Sequence, residues 1–190
     1  MELEDIKKAH NRIKDYIYKT PLEKSMDLSG DNTNVYLKLE NQQKTGAYKL
    51  RGALSKISSL SQEEIDKGIV AISSGNHGAA VSYGGRILGI RESTIYVPET
   101  TPSSKTRKIE YFGARVVKLG KNYDEVHEKA IKIIKEEGKT FIDPCSDEEV
   151  IAGQGTIALE ILEENPDIDT ILVPIGGGGL ITGISLAAKA

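Results

Sequence analysis

The sequence predicts an α/β fold, in which parallel sheets are covered by helices. Six short strand-like segments alternate with amphipathic helical patterns along the chain, and this alternation is typical of that class. Two apolar runs, Val116–Val117 and Ile171–Val173, are nearly continuous, as expected for strands buried on both faces. The 190 residues allow one sizeable domain or two small ones, with a core large enough to fold without disulfides.

The elements follow in order from local patterns. Near the start, residues three or four apart predict one face of an amphipathic helix: Leu3, Ile6, His10, Ile13 and Ile17. We expect His10 to pack on that face. Alternating or β-branched runs predict strands at Val35–Glu40, Gly68–Ser73, Thr94–Pro98, Arg115–Leu119, Lys139–Ile142 and Thr170–Ile175. Helical patterns occupy the intervals, at about Tyr48–Leu60, His77–Leu88, Ser104–Phe112, Tyr123–Glu137, Glu148–Glu164 and Gly179–Ala190.

Composition excludes several classes of function. Lys and Arg (25) nearly balance Asp and Glu (28), with no basic stripe for nucleic-acid phosphates, so we expect no nucleic-acid partner. No apolar run approaches the ~20 residues of a membrane span, and the polar start is unlike a signal peptide, which predicts a cytoplasmic protein without a membrane partner. Cys145 is the only cysteine and the three histidines are scattered, so we expect neither an intrachain disulfide nor a metal site.

Lys49 is the most informative single residue. On a helix it shares a face with the apolar residues Ala53, Ile57 and Leu60, near the helix start. Burial and the positive end of the helix dipole both favour a neutral amine, which can attack a carbonyl. The alternative is an aliphatic stem that covers apolar surface while the ammonium reaches water. We expect the other nearby lysines, Lys38 and Lys44, on the surface.

Four consecutive glycines, Gly176–Gly179, separate the last predicted strand from the last predicted helix. Peptide N–H groups without side chains, at the start of a helix, form a site for an anion such as phosphate. The spacing matches neither the dinucleotide-binding fingerprint nor the P-loop of nucleotide triphosphatases. A tight turn without a ligand is the alternative.

A second polar loop, Ser73–His77, also lies between a strand and a helix. Its serines and backbone amides suit a carboxylate, and Asn76 is able to donate to a phenolate oxygen. Helix capping alone would explain the same residues. No G-x-S-x-G elbow accompanies them, so a Ser-His-Asp triad is not supported.

Four motifs together resemble the fold-type II pyridoxal-phosphate-dependent enzymes, and within them the threonine dehydratase (threonine ammonia-lyase) and serine racemase family. In chain order they are Lys44–Ala53 (KTGAYKLRGA), Ser73–His77 (SSGNH), Gly153–Thr156 (GQGT) and Val173–Leu180 (VPIGGGGL). They occur in the family's order and extend over most of the chain.

The resemblance implies a role for each matching residue. The family's catalytic lysine, which forms a Schiff base with pyridoxal 5′-phosphate, corresponds to Lys49. The phosphate loop corresponds to Gly176, Gly177, Gly178 and Gly179 with the amide of Leu180, and the asparagine that contacts the ring oxygen corresponds to Asn76. The substrate carboxylate would meet Ser73, Ser74, Gly75, Asn76 and His77. Ser74 also matches the acid-base serine of the racemases, so it is a second candidate catalytic residue.

The implied reaction is the dehydration and deamination of L-threonine or L-serine to a 2-oxo acid and ammonia. Lys49 would act as general base once the amino acid has displaced it from the cofactor. Serine racemisation through Ser74 remains the alternative within the family. A cofactor-binding fragment without turnover remains the alternative of another class. The resemblance also places the activity in amino-acid metabolism, including isoleucine biosynthesis.

The resemblance implies two lobes, as in the β-subunit of tryptophan synthase. We expect residues 1–44 and 147–190 to belong to a large cofactor-binding lobe, and residues 45–146 to form a small mobile lobe that closes over the substrate. The final helical pattern stops without a cap, so we expect a chain cut within the large lobe. A full-length protein would be a homodimer or homotetramer, whereas a chain with unpaired parallel strands would associate or be unstable.

Overall fold

The computed structural model describes residues 1–190 as a mixed α/β structure. The eight α-helices are α1 (Leu3–Ile13), α2 (Lys49–Ile57), α3 (Gln62–Lys67), α4 (Asn76–Ile87), α5 (Ser103–Tyr111), α6 (Tyr123–Glu137), α7 (Glu148–Glu164) and α8 (Gly179–Lys189). The six strands are β1 (Leu22–Lys24), β2 (Tyr36–Lys38), β3 (Ile69–Ile72), β4 (Ser93–Val97), β5 (Arg115–Lys118) and β6 (Thr140–Phe141). A short 3-10 helix covers Glu40–Gln42.

The central feature is a four-stranded parallel sheet with the strand order β5-β4-β3-β6. Ile69 pairs with both Ser93 of β4 and Thr140 of β6, so β3 is an inner strand, and all four of its residues are buried. Helices α4, α5 and α6 connect or flank these strands. The predicted α/β class with a parallel sheet is therefore confirmed, and β1 and β2 form a separate antiparallel pair.

Helix α2 lies between two layers of the fold. One side packs on α4, where Leu54 and Ile57 enter the core beneath the parallel sheet. The other side packs on α7, which also contacts α1 and α8. A second apolar cluster fills the space among these helices, and it includes Ile6, Ile161 and Ile184. The proposed boundaries of the two lobes stay a prediction.

Two sequence predictions about strands were wrong. Thr170–Ile175 forms no strand, since its backbone makes no hydrogen bonds to a neighbouring strand and Leu172 is 92% exposed. An apolar run becomes a strand only where a partner accepts its hydrogen bonds. Val116–Val117 does form β5, but as an edge strand, so both side chains are only partly buried.

Other differences concern short elements. Helix α1 ends at Ile13, so Ile17 is buried from the segment that follows and not from the predicted helical face; His10 lies half-buried on α1. Helix α3 was missed, although Ser61 and Glu64 form the capping box that marks its start. Strand β1 was not predicted, because three residues are too few to show the alternation of apolar and polar side chains that is typical of a strand. No helix is both long enough and apolar enough to span a membrane.

Candidate active site

A cavity of about 350 Å³ opens where β3 ends and where α2 and α4 begin. It is lined by Lys49 and by the Ser73–His77 loop, both of which the sequence analysis predicted to be functional. The lining residues are Tyr48, Lys49, Ile72, Ser73, Ser74, Gly75, Asn76, His77, Tyr123 and Pro144. The structure thus brings the candidate lysine and the candidate carboxylate loop into one pocket.

Lys49 is the first residue of α2 and is partly buried. Its Nζ donates a hydrogen bond to the carbonyl oxygen of Pro144 at 2.9 Å and lies 5.4 Å from the ring centroid of Tyr48. Lys49 is therefore held with its amine in the cavity, anchored through one of its hydrogens.

The Ser73–His77 loop turns from β3 into α4. The hydroxyl of Ser73 accepts a hydrogen bond from the backbone N–H of Gly75 at 3.2 Å, which tightens the turn. Gly75 is the N-cap of α4, and Asn76, the first residue of that helix, is exposed. The N-terminus of α4 consequently faces the same cavity as Lys49, with its partial positive charge available to an anion.

His77 fixes this loop from beneath. Its side chain is buried, and Nε2 lies 2.8 Å from the carbonyl oxygen of Ile142. Desolvation by burial lowers the pKa of His77 to about 4, so the imidazole is neutral at pH 7. A neutral ring that bonds to a carbonyl oxygen must carry its proton on Nε2. Nδ1 is then an acceptor, and it has no partner in the structure.

The glycine loop precedes α8 as predicted. Gly178 has φ +88°, a left-handed conformation that favours glycine. The loop packs tightly on Cys145: a Cβ added to Gly177 would overlap its Sγ, and one added to Gly179 would lie 3.1 Å from its carbonyl oxygen. The backbone N–H groups of Gly176–Ile181 donate to no acceptor in the chain. These six consecutive free donors, including that of Leu180, lie at the start of α8, where the helix dipole favours an anion.

The segment Ile142–Ser146, after β6, joins the three parts of the site. Its carbonyl groups accept from His77 and Lys49, and Cys145 packs against the glycine loop. The side chain of Asp143 accepts from the backbone N–H groups of Cys145 and Ser146, at 2.7 and 2.6 Å, and so holds the turn. Sequence reasoning missed this segment, although an Asp-Pro pair is a turn signal. It also missed Tyr123, which lines the cavity.

A buried ionic network anchors the helix that carries Lys49. Arg51 is fully buried and donates to the carboxylates of Glu40 and Glu160 at 2.6–2.9 Å. Lys38 completes the network at 2.8 Å from Glu160, with its side chain only 7% exposed. The prediction that Lys38 lies on the surface was therefore wrong, because its ammonium has two buried acceptors, Glu160 and the carbonyl oxygen of Thr20.

Comparison with known proteins identifies relatives of the whole chain. A family profile described as "Pyridoxal-phosphate dependent enzyme" matches residues 13–190. An L-threonine ammonia-lyase of Thermotoga maritima is 47% identical over 188 residues, which cover 98% of this chain and 47% of that protein. An "L-threonine dehydratase catabolic TdcB" of Staphylococcus aureus is 47% identical over 191 residues, covering 100% of this chain and 55% of the relative.

Solved structures agree with these relatives. Maize serine racemase superposes with a TM-score of 0.93 at 38% identity, covering 99% of this chain and 57% of that one. The processed form of threonine deaminase isoform 2 from Solanum lycopersicum superposes with a TM-score of 0.94 at 38% identity, covering 98% and 51%. The chain spans about half the length of the curated relatives it matches.

Proposed function

The chain belongs to the pyridoxal-phosphate dependent enzyme family, and from that premise we propose that the whole protein converts L-threonine or L-serine to a 2-oxo acid and ammonia. The observation that carries this proposal is the shared cavity of Lys49 and the Ser73–His77 loop. One wall offers an amine and the other offers donors for a carboxylate, which are the two features an amino-acid substrate requires. The named threonine dehydratases and deaminases among the relatives support the choice of substrate.

The residues of the site fit pyridoxal 5′-phosphate. Its aldehyde requires an amine, which Lys49 would supply, and its phosphate requires several donors without competing side chains, which Gly176–Gly179 and the amide of Leu180 would supply. Asn76 would contact the ring oxygen. When bound, this cofactor supplies an electron sink that makes the Cα–H bond of an amino acid acidic.

Lys49 would act as the general base of the reaction. Its Nζ takes the proton from the substrate Cα, so it must be neutral at that moment. The carbonyl oxygen of Pro144 orients this amine through the 2.9 Å hydrogen bond. The amine then carries the proton until the product leaves.

The Ser73–His77 loop would bind the substrate carboxylate. The backbone N–H group of Asn76 and the hydroxyls of Ser73 and Ser74 are the donors within the cavity. His77 would keep these donors in place, because its neutral ring ties the loop to Ile142. A fixed carboxylate holds the Cα–H bond in one orientation relative to Lys49.

Racemisation is the second candidate function. Ser74 lies in the same cavity as Lys49, so that two proton carriers line one pocket. The similarity to maize serine racemase supports this alternative. Return of a proton from Ser74 to the opposite face of Cα would invert the configuration, whereas loss of the β-hydroxyl would give the 2-oxo acid. A protein that binds the cofactor without turnover is the third outcome.

We also propose how the lobes of the whole protein are divided, how it assembles and where it acts. Residues 1–44 and 147–190 would form the large lobe and residues 45–146 the mobile small lobe. The whole protein would act on a small hydroxyamino acid as a homo-oligomer in the cytoplasm. A contribution to isoleucine biosynthesis stays a prediction, since the named Staphylococcus relative is described as catabolic.

The test uses the whole protein loaded with pyridoxal phosphate and supplied with L-threonine or L-serine. We expect 2-oxobutanoate or pyruvate with equimolar ammonia, and we expect Lys49→Ala to abolish both. Lys44→Ala is the matched control, because Lys44 precedes α2 and lies outside the cavity. Formation of D-serine without a 2-oxo acid would favour the racemase. Binding of cofactor with neither product would leave the non-catalytic alternative.

A further inference from the structure

Helix α7 passes between the helix that carries Lys49 and the helix that begins at the glycine loop. Its contact with α2 is unusually close at Gly153. A Cβ added there would lie 2.5 Å from the carbonyl oxygen of Arg51 and 2.6 Å from the Cα of Gly52. The reverse contact is equally close, since a Cβ on Gly52 would lie 2.6 Å from the carbonyl oxygen of Val150. The two backbones approach each other closely, and a Cβ on Gly52 would also overlap the side chain of Gln154.

The contact between α7 and α8 has the same character. A Cβ added to Gly155 would lie 2.8 Å from the carbonyl oxygen of Gly183, and one added to Gly183 would lie 2.7 Å from the backbone nitrogen of Gly155. Ordinary Cβ contacts begin at 3.4 Å, so an alanine at 155 would force the helices apart by about 0.6 Å or bend one of them. The side chain of Ile6, 2.9 Å from the same Cβ, is able to move aside, but the backbone of Gly183 is not.

The two contacts lie on opposite sides of α7. Residues two apart on an α-helix are turned by about 200° around its axis and are displaced by only about 3 Å along it. The Gly153-x-Gly155 spacing therefore presents one flat face to α2 and another to α8 at nearly the same height. This is the third motif of the sequence, and the chemistry described above does not use it.

Both contacts are close to the functional helix ends. Gly52 follows Lys49 by three residues, and Gly183 follows Gly179, the first residue of α8, by four. These are distances of about 4.5 and 6 Å along the helix axes, roughly one turn each. A change in either contact is therefore transmitted over a short, rigid segment to the amine or to the free N–H groups.

We propose that Gly153 and Gly155 are positioning residues, which set the distance between Nζ of Lys49 and the anion site at the start of α8. This inference rests on the proposed function, because only a ligand with both an aldehyde and a phosphate engages the two groups together. The affinity of such a ligand benefits from the second contact only when the distance between the two groups of the protein matches that between its aldehyde and its phosphate. A ligand that uses one group alone does not depend on the spacing.

The experiment compares three probes on the whole protein and on Gly155→Ala. Pyridoxal phosphate uses both groups, pyridoxal uses only the amine, and inorganic phosphate uses only the anion site. With either aldehyde, the amine of Lys49 adds to the aldehyde carbon and one water leaves, so that a C=N bond forms. Binding of the aldehydes is followed by the absorbance of this bond, and the absorbance measured with Lys49→Ala is subtracted. We expect the affinity for pyridoxal phosphate to fall roughly 10- to 100-fold in Gly155→Ala, with little change for pyridoxal and for phosphate.

One further variant repeats the test at the other contact, and a second controls for a general loss of stability. Gly153→Ala should reproduce the selective loss from the α2 side. Gly84→Ala is the matched control: it is a buried helical glycine whose added Cβ would meet only flexible side-chain atoms, with Ile57 Cδ1 the nearest at 3.0 Å. It should leave all three affinities unchanged. Far-UV circular dichroism establishes that each variant is folded.

A measurement on the unmodified protein keeps the proposal testable if the variants do not fold. A pyridoxal phosphate analogue with an arm one methylene longer should bind about as weakly as pyridoxal, because the rigid contacts fix the spacing. Equal binding of the longer analogue and the natural cofactor would overturn the proposal, as would equal losses for all three probes or an unchanged cofactor affinity in Gly155→Ala. If the unmodified protein itself formed no adduct at Lys49, the proposed function would fail instead.

Discussion

Replacing Arg51 with methionine should destabilise the fold far more than the loss of an ordinary ion pair. Arg51 is fully buried and Glu160 is 2% exposed, so the change leaves a buried carboxylate with Lys38 as its remaining charged partner. Breaking a buried pair by removing one partner costs about 3–5 kcal/mol, because the other charge stays desolvated. Methionine fills most of the volume, so the loss reports the charge and not a cavity.

The predicted loss depends on pH. Burial acts to raise the pKa of Glu160, but hydrogen bonds from Arg51 and Lys38 outweigh it and lower this pKa below the ordinary 4.5. A carboxylate with a lowered pKa in the folded state contributes stability above its unfolded value and loses that contribution as the pH falls through the folded value. The difference between the unmodified protein and Arg51→Met should therefore shrink below about pH 4.

Urea denaturation at pH 7 and at low pH measures both effects. Arg51→Met, Glu160→Gln and the double variant form a cycle, in which the double variant should be more stable than Arg51→Met alone. Lys19→Met is the control, since its partner Glu163 is exposed and the pair should contribute little. A loss in Arg51→Met no larger than in Lys19→Met, or one that is the same at both pH values, would refute the reasoning.

Three further predictions concern the candidate site. The pKa of His77 falls from 6.5 to about 4 on folding, so the free energy of unfolding should drop by up to roughly 3 kcal/mol as the pH falls from 6.5 to 4. In urea titrations, His77→Asn should make the free energy of unfolding less dependent on pH over this range. The same pH dependence in the variant and the unmodified protein would contradict the burial of a neutral ring. Gly177→Ala should weaken binding of inorganic phosphate about tenfold in calorimetry by overpacking against Cys145, and Cys145→Ala should restore it; failure of the second change to help would place the cause elsewhere. Ser74→Ala should abolish any D-serine formation, followed by chiral chromatography, while 2-oxo acid release persists; D-serine formed at the original rate would remove Ser74 from that role.

The sequence predicted long elements well because local interactions define them. Helices α6 and α7 begin and end at the predicted residues, since Asn122 and Asp147 cap their starts through side-chain hydrogen bonds. Thr170–Ile175 failed for the opposite reason: its apolar pattern is that of a strand, but strand formation depends on a partner. No local pattern reports whether one is present.

In the candidate site, too, the local motifs were predictable and the long-range contacts were not. Lys49 and the Ser73–His77 loop were predictable because each lies at a junction with a recognisable motif. The acceptor of the lysine, Pro144, was not, because it is 95 residues away in sequence and reaches Lys49 only through the sheet order. The burial of Lys38 also depended on a distant residue, Glu160 of α7.

The most direct test of the account is to find which lysine reacts with the cofactor. The whole protein is incubated with pyridoxal phosphate, reduced with borohydride and digested, and the labelled peptide is identified by mass spectrometry, with Lys49→Arg as the control. We predict a phosphopyridoxyl group on Lys49 in the unmodified protein and no label at that position in the control. A label on Lys44 or another lysine, or no label at all, would contradict the assignment of the site.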